Sequence, residues 1–167
     1  MSELDYRLRQ QQLTAEFGYF SIKNKNFDVL LQKATEFAAQ GLNTNFSKIM
    51  QYLPGENKFL ICAGVGWGPG IVGEMKLLAD LESPTGYAFL TGKPVISNHL
   101  AGETRFRTPS VLATHGIKRA INVIIWDEKI PFGVLEVDSQ EEGDFNELDI
   151  AFLQSFANTL AIALERK

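Results

Sequence analysis

"IPFGVLEVDSQEEGDFNELDIAFLQSFANTLAIALERK", residues 130–167, changes its apolar period once, and that change decides the fold. Ile130 to Val137 is a β-rich run, and an acidic turn follows it. Asp144 and Glu147 then stand three apart, the spacing of a capping box, and predict the start of a long helix. Along that helix Leu148, Phe152, Phe156 and Thr159 fall on one strip, and Leu153, Ala157, Leu160, Ala161 and Leu164 on the next. The apolar arc is wider than a single sheet-facing stripe needs.

Upstream, the same two periods alternate. "RAINVIIW" (119–126) precedes the turn Asp127-Glu128-Lys129, so it pairs with 130–137 as a hairpin. "FSKIMQYL" (46–53) and "FLICAGVGW" (59–67) flank Pro54-Gly55-Glu56-Asn57-Lys58 and predict another. Between the hairpins lie a glycine-rich loop (64–73), a short helix opened by Ser83-Pro84 and closed by Gly92, a strand Val95-Ile96-Ser97, and an irregular excursion with a helical turn from Ser110 to Gly116. Ahead of the first hairpin, Asn26 caps a helix with Phe27, Leu30, Leu31, Ala34, Phe37 and Ala38 at helical spacing. Residues 3–17 read as a further helix of moderate amphipathicity, with Leu4, Leu8 and Ala15 on one stripe and Tyr6, Leu13 and Phe17 on another. The residues by themselves predict an α+β domain, an antiparallel sheet with helices packed on it, with residues 1–25 as an N-terminal helical extension and 26–167 as the domain proper.

Composition narrows the function. A chain of 167 residues with 45% hydrophobic and 22% charged residues is ordinary globular protein. Its net charge of −4 with scattered Lys and Arg speaks against nucleic acid as a partner. The polar N-terminus lacks a signal-peptide core, and no run approaches the ~18 apolar residues of a membrane span, which points to a cytoplasmic protein without a membrane partner. One cysteine, Cys62, has no partner for a disulfide and lies in an apolar run.

The element order, with "SPTGYAFLTGKPVISNHL", "PFGVLEVDS" and "FNELDIAFLQSFANTLAIALER", resembles the GAF domain over essentially the whole chain. "SELDYRLRQQQLTAEF", "ETRFRTPSVLATHGIKRAINVII" and "FGVLEVDS" further resemble the GAF domains that stand N-terminal to HWE-type sensor histidine kinases. The resemblance implies a GAF/PAS-like antiparallel sheet of five or six strands. It implies the N- and C-terminal helices together on one face and a ligand pocket on the other, roofed by the segment between the hairpins. It also implies a regulatory module that passes the state of a small ligand to a neighbour through its helices.

The residues do not name that ligand. Cyclic-nucleotide-binding GAF domains place an Asn-Lys pair where this chain has Asp138-Ser139; Phe145 and Asp149 match their pattern, but Ile150 stands in place of Glu. What survives has a structural role to hand, Phe145 anchoring the start of the helix and Asp149 facing its dipole. A covalent bilin needs a cysteine where Arg107 falls. Free methionine sulfoxide reductases need several cysteines, and Cys62 has no resolving partner. For haem, His99 or His115 could serve, though neither carries a ligand motif. Ser97 with His99 lacks a nucleophile elbow, and Gly86, Gly92 and Lys93 miss a phosphate loop by spacing and by Pro94. The pocket residues expected from the roofing segment and the strand it feeds are Trp67, Tyr87, Phe89, Phe106, Arg107, His115, Arg119 and Asn122: aromatic walls with polar tips, the two arginines suited to an anion if they point inward.

The expectation is a non-catalytic cytoplasmic sensory module for an unidentified small molecule, with a histidine kinase or other signalling protein as its output partner. These residues hold no phosphoacceptor helix and no ATP-binding half, so any kinase output lies outside them. The alternative is a structural dimerisation and partner-docking module without a ligand. The wide arc of the last helix predicts a homodimer seamed by Leu153, Ala157, Leu160, Ala161 and Leu164, unless residues 3–17 fold back to cover that strip within one chain.

Overall fold

Both hairpins form and merge into one sheet, the first at its expected turn and the second with a longer connection than expected, since Ile130 to Phe132 stay outside the strand and Pro131 has no N–H for a ladder. The structure, a computed structural model, describes residues 2–167; Met1, the first residue of the expected extension, lies outside the described residues. Strands β1 (Phe46–Leu53) and β2 (Lys58–Val65) pair antiparallel, and Asn57 takes the left-handed φ of 51° that closes their turn. Strands β5 (Arg119–Ile125) and β6 (Gly133–Ser139) form the other hairpin, and β6 lies antiparallel to β1 with Glu136 opposite Lys48 and Asp138 opposite Phe46. The edges are β3 (Lys76–Leu78), beside β2, and β4 (Val95–Ser97), beside β5. The order is β3-β2-β1-β6-β5-β4, antiparallel throughout. Period two did not anticipate β3, whose three residues are too short to show alternation.

On one face lie three helices, α1 (Glu3–Lys23), α2 (Phe27–Gly41) and a C-terminal helix (Glu147–Glu165). The opposite face carries α3 (Pro84–Thr91), a 3-10 turn (Leu100–Gly102) and α4 (Ser110–Thr114); the C-terminal helix is therefore α5. Helix α3 has the expected punctuation, with the Ser83 hydroxyl accepting from Gly86 N and Gly92 ending it at φ 71°. Asn26 caps α2 by accepting from Val29 N at 3.2 Å. Helix α5 departs from the expected cap. Asn146, not Asp144, is its N-cap: Asn146 Oδ1 accepts from Asp149 N, and the Asp149 carboxylate accepts from Asn146 N at 3.0 Å.

Helix α1 runs on past residue 17, through Gly18 to Lys23, because burial outweighs the local glycine cost: Leu13, Phe17 and Ser21 are buried along it. Its Leu13/Phe17 stripe folds back against α2 and α5, and the Phe17 ring meets Phe156 edge-on at 4.9 Å. Arg7 ties the same helices together, its Nη1 donating to Asp149 Oδ1 at 2.7 Å. That arrangement revises the expected dimer seam. Leu153, Ala157 and Leu160 are each 0% exposed, enclosed by this chain's own helices and sheet, and Ala161 and Leu164 are half-buried. The wide apolar arc of α5 is used within one chain.

Alternation then sorts the central strands. Ile49, Leu135, Val137, Ile121 and Val123 enter the core beneath the three long helices. The other parity, Phe46, Lys48 and Met50 on β1, Glu136 and Asp138 on β6, and Ala120 and Asn122 on β5, faces α3 and α4.

Candidate functional site

That second face should be apolar if it only supports a roof. Instead it carries a row of polar side chains across the three central strands. Register sets Lys48 opposite Glu136 and Glu136 opposite Asn122, and Asp138 follows two residues along β6 on the same side. All four are 0–1% exposed. The Lys48 ammonium donates to Glu136 Oε2 and, at 3.0 Å, to Asp138 Oδ2. Thr85 at the start of α3 donates to Glu136 Oε1 at 2.9 Å and lies 3.4 Å from Asn122 Oδ1. Above the ammonium sits Trp67, its ring centroid 4.6 Å from Lys48 Nζ and its indole N–H donating to the Ser47 carbonyl at 2.9 Å.

Charge this deep must be balanced nearby, since an isolated buried ion is prohibitively costly. For Lys48, burial lowers the affinity for a proton, but the Asp138 and Glu136 carboxyls outweigh it and hold the ammonium above its ordinary pKa. Burial pushes Glu136 up, but the Lys48 charge together with hydrogen bonds from Asp138, Lys48 and Thr85 outweighs it and holds Glu136 below its ordinary pKa. For Asp138, burial and then the Glu136 carboxylate both raise the pKa, to well above the usual carboxylate range. The cluster is therefore close to neutral: one ammonium, one carboxylate and a carboxyl that keeps its proton.

Asp138 thus binds a proton in the fold that it releases on unfolding, a contribution fully present below its unfolded pKa of ~3.9 and lost as pH rises through the folded value. Asp138→Asn, neutral at every pH, is expected to flatten the decline of stability that sets in as pH rises above ~3.9 and continues to the folded value. Urea titrations of both proteins from roughly pH 4 to pH 10 check it, and parallel curves would show that folding does not raise the affinity of Asp138 for its proton.

Two atoms in the cluster have no hydrogen-bond partner, Asn122 Nδ2 and Asp138 Oδ1. Each such group costs ~1–3 kcal/mol when shut away from water. A cleft of about 420 Å³ opens between β3, the start of α3 and residues 107–110, with Phe59, Leu77, Ser83, Thr85 and Ser110 in its lining. Thr85 belongs to both, so one side chain separates the cleft from the buried row.

The expected pocket residues divide. Asn122 lies in the cluster. Trp67 and His115 form part of its roof: their rings are 4.9 Å apart, both pack on Phe46, and His115 Nδ1 donates to the Val111 carbonyl at 2.7 Å. Tyr87 and Phe106 pack together at 5.8 Å in the same apolar group as Phe46. Phe89 lies apart, tilted against Tyr52 and edge-on to Phe59 in a separate core cluster. Neither arginine reaches the site. Arg107 is exposed at the cleft rim, its Nη1 donating to Glu82 at 2.7 Å. Arg119 has the other strand parity: its guanidinium lies over the Phe145 ring at 4.3 Å and donates to the Glu141 carbonyl. Sequence reasoning missed Lys48, Thr85, Glu136 and Asp138, the residues that make the cluster.

A family model described as a GAF domain matches residues 11–165. No curated protein matches the chain in sequence. Among solved structures, a GAF domain from a Coxiella burnetii phosphoenolpyruvate-protein phosphotransferase superimposes with a TM-score of 0.85 at 14% identity, covering 96% of this chain and 95% of that one. The corresponding Acinetobacter domain gives 0.81 at 17% identity, with 99% and 96% covered. The Neisseria meningitidis free methionine-R-sulfoxide reductase, solved with its substrate, gives 0.83 at 13% identity, with 99% and 92% covered. At these identities the likeness shows the fold alone.

Proposed function

This chain belongs to the GAF domain family, and from that membership we propose that it is a non-catalytic sensory module whose ligand binds on the sheet face carrying Lys48, Glu136, Asp138 and Asn122. The observation that carries the reading is the pair of partnerless atoms, Asn122 Nδ2 and Asp138 Oδ1. A purely structural core would be expected to satisfy or omit them. A ligand entering from the Thr85 cleft would satisfy both.

Relay follows the chain. Strand β6 carries the two acidic residues and leads directly into the start of α5, where Asn98 clamps Phe145 through both its backbone groups, at 2.8 and 3.1 Å. Asp149 then receives Arg7 and Gln10 of α1, so a shift of β6 is transmitted to both terminal helices. In this reading residues 1–25 serve as an output arm on the domain 26–167, in the cytoplasm, with a sensor histidine kinase as the context the resemblance suggests. Among the described residues no helix is long and apolar enough to cross a membrane. Against thiol catalysis stands Cys62, half-buried and pushed up to about 11 by burial, the reverse of an activated nucleophile.

The homodimer is carried in this proposal with a new seam. Leu4, Leu8, Tyr19 and Ile22 are all more than half exposed and fall within about 60° of one another around α1 at 100° per residue. Light scattering is expected to give a dimer for the parent and a folded monomer for Leu8→Glu, Ile22→Glu. A monomeric parent sinks the dimer.

The sensing reading is tested by thermal unfolding against a library of small polar metabolites of both charges. A ligand at a hundred times its Kd adds about 2.7 kcal/mol, a rise of several degrees in Tm. If no compound raises Tm, the alternative of a dimerisation and docking module without a ligand takes its place.

A further inference from the structure

We propose that the ligand is a small primary ammonium compound with a hydrogen-bond acceptor beside its amine-bearing carbon, the ammonium docking on Asp138 Oδ1 and the acceptor taking an Asn122 amide N–H. This rests on the sensing reading above and narrows it to a chemical class.

The two partnerless atoms set the requirement. Asp138 Oδ1 is an acceptor and Asn122 Nδ2 a donor, so the missing group must present a donor and an acceptor close together. Asp138 and Asn122 are diagonal neighbours on adjacent strands, since Asp138 pairs with Ala120 and Asn122 with Glu136, which puts their Cα atoms roughly 7–8 Å apart. A compound of amino-acid size spans that gap. Neither residue lines the cleft of about 420 Å³, so the ligand would enter through that cleft and displace the Thr85 side chain to reach them.

Charge selects the ammonium over an anion. The positive charge of Lys48 is already committed to Glu136 and Asp138. An arriving carboxylate or phosphate would leave a net negative charge in a group of side chains that are 0–1% exposed. An arriving ammonium can instead replace a proton. Asp138 loses its carboxyl proton to bulk water, the ligand brings one positive charge, and the cluster is as neutral after binding as before it. The charged groups facing Asp138 are Lys48 from β1 and Glu136 from its own strand; β5 places Ala120 opposite, α3 contributes neutral Thr85, and α4 contributes His115 on the far side of Trp67 and Phe46. Trp67, whose ring already lies over one ammonium, gives the site an aromatic wall suited to a second.

Isothermal titration calorimetry with ethanolamine, glycinamide and L-alaninamide, each beside its N-acetyl counterpart, tests the class. At least one amine is expected to bind, and its N-acetyl counterpart at least tenfold more weakly. Titration of that amine in buffers of different ionisation enthalpy should show proton release, approaching one per amine bound, and Asp138→Asn should weaken binding at least tenfold. Proton release is measured on the unaltered protein, so the test holds even if the variant misfolds. Preferential binding of anions or of the N-acetyl compounds overturns the ammonium assignment while leaving the sensing reading intact. Amine binding with no proton release, or undiminished in a folded Asp138→Asn protein, overturns it as well. If the amines fail and no compound of any charge binds, the sensing reading falls with it.

Discussion

Lys48→Met is expected to destabilise the domain by about 3–5 kcal/mol, because it removes the only cation from a buried group and strands the Glu136 carboxylate. Methionine fills much of the lysine stem's volume, so lost packing contributes little. The charge assignment makes a second, sharper forecast. Adding Glu136→Gln removes the stranded charge while keeping an acceptor for Thr85 Oγ1, so the double variant should recover more than half of the loss. Urea unfolding of the two variants beside the parent measures both steps. A single variant within about 1 kcal/mol of the parent, or a double variant no better than the single, would mean that the row is hydrated and not a sealed ionic cluster.

Phe17→Ala should cost a comparable ~3–5 kcal/mol. Phe17 is 1% exposed, with its ring between Phe156 at 4.9 Å and Phe37 at 6.3 Å, so truncation leaves a cavity bounded by α1, α2 and α5. The forecast distinguishes an arm that shares the core from a helix that merely touches it. Glu16→Ala, exposed on α1 and outside the proposed dimer seam, serves as the control and is expected to change stability by under ~0.5 kcal/mol. Similar small effects for both would show that α1 detaches without disturbing the domain.

Periodicity and punctuation made most of the fold legible. Asn26, Ser83-Pro84, Gly92 and Pro54–Lys58 mark boundaries that the structure keeps, because caps and turns depend on a few neighbouring residues. The length of α1 was not legible, since Gly18 reads as a stop and only contacts with α2 and α5 override it. The same contacts explain the misplaced dimer seam: the arc of α5 is visible in the sequence, but its occupant, the Leu13/Phe17 stripe, is known only once the chain has folded back.

The site was half legible for a different reason. In "FSKIMQYL" and "GVLEVDS", Lys48, Glu136 and Asp138 alternate with Ile49, Leu135 and Val137, and this is also the pattern of a strand with one face in water. Phe46 and Met50 share the parity of Lys48, a sign that this face is covered, and it went unused. Arg119 and Asn122 stand three apart on one strand, so alternation alone puts them on opposite faces. Arg107 sits in an irregular segment, where no period says which way a side chain turns.

Amide and indole resonances give the most direct test of the central claim, that the buried polar row is where this GAF domain takes its ligand. In 1H–15N correlation spectra, a compound that raises Tm is added stepwise to the labelled protein. The chain has two tryptophans, Trp67 over Lys48 and Trp126, which is 46% exposed. The account predicts that the Asn122 side-chain amide and the Trp67 indole N–H shift together and saturate with the binding curve, while the Trp126 indole stays in place. Saturable shifts confined to the terminal helices, with Asn122 and Trp67 unmoved, would contradict it.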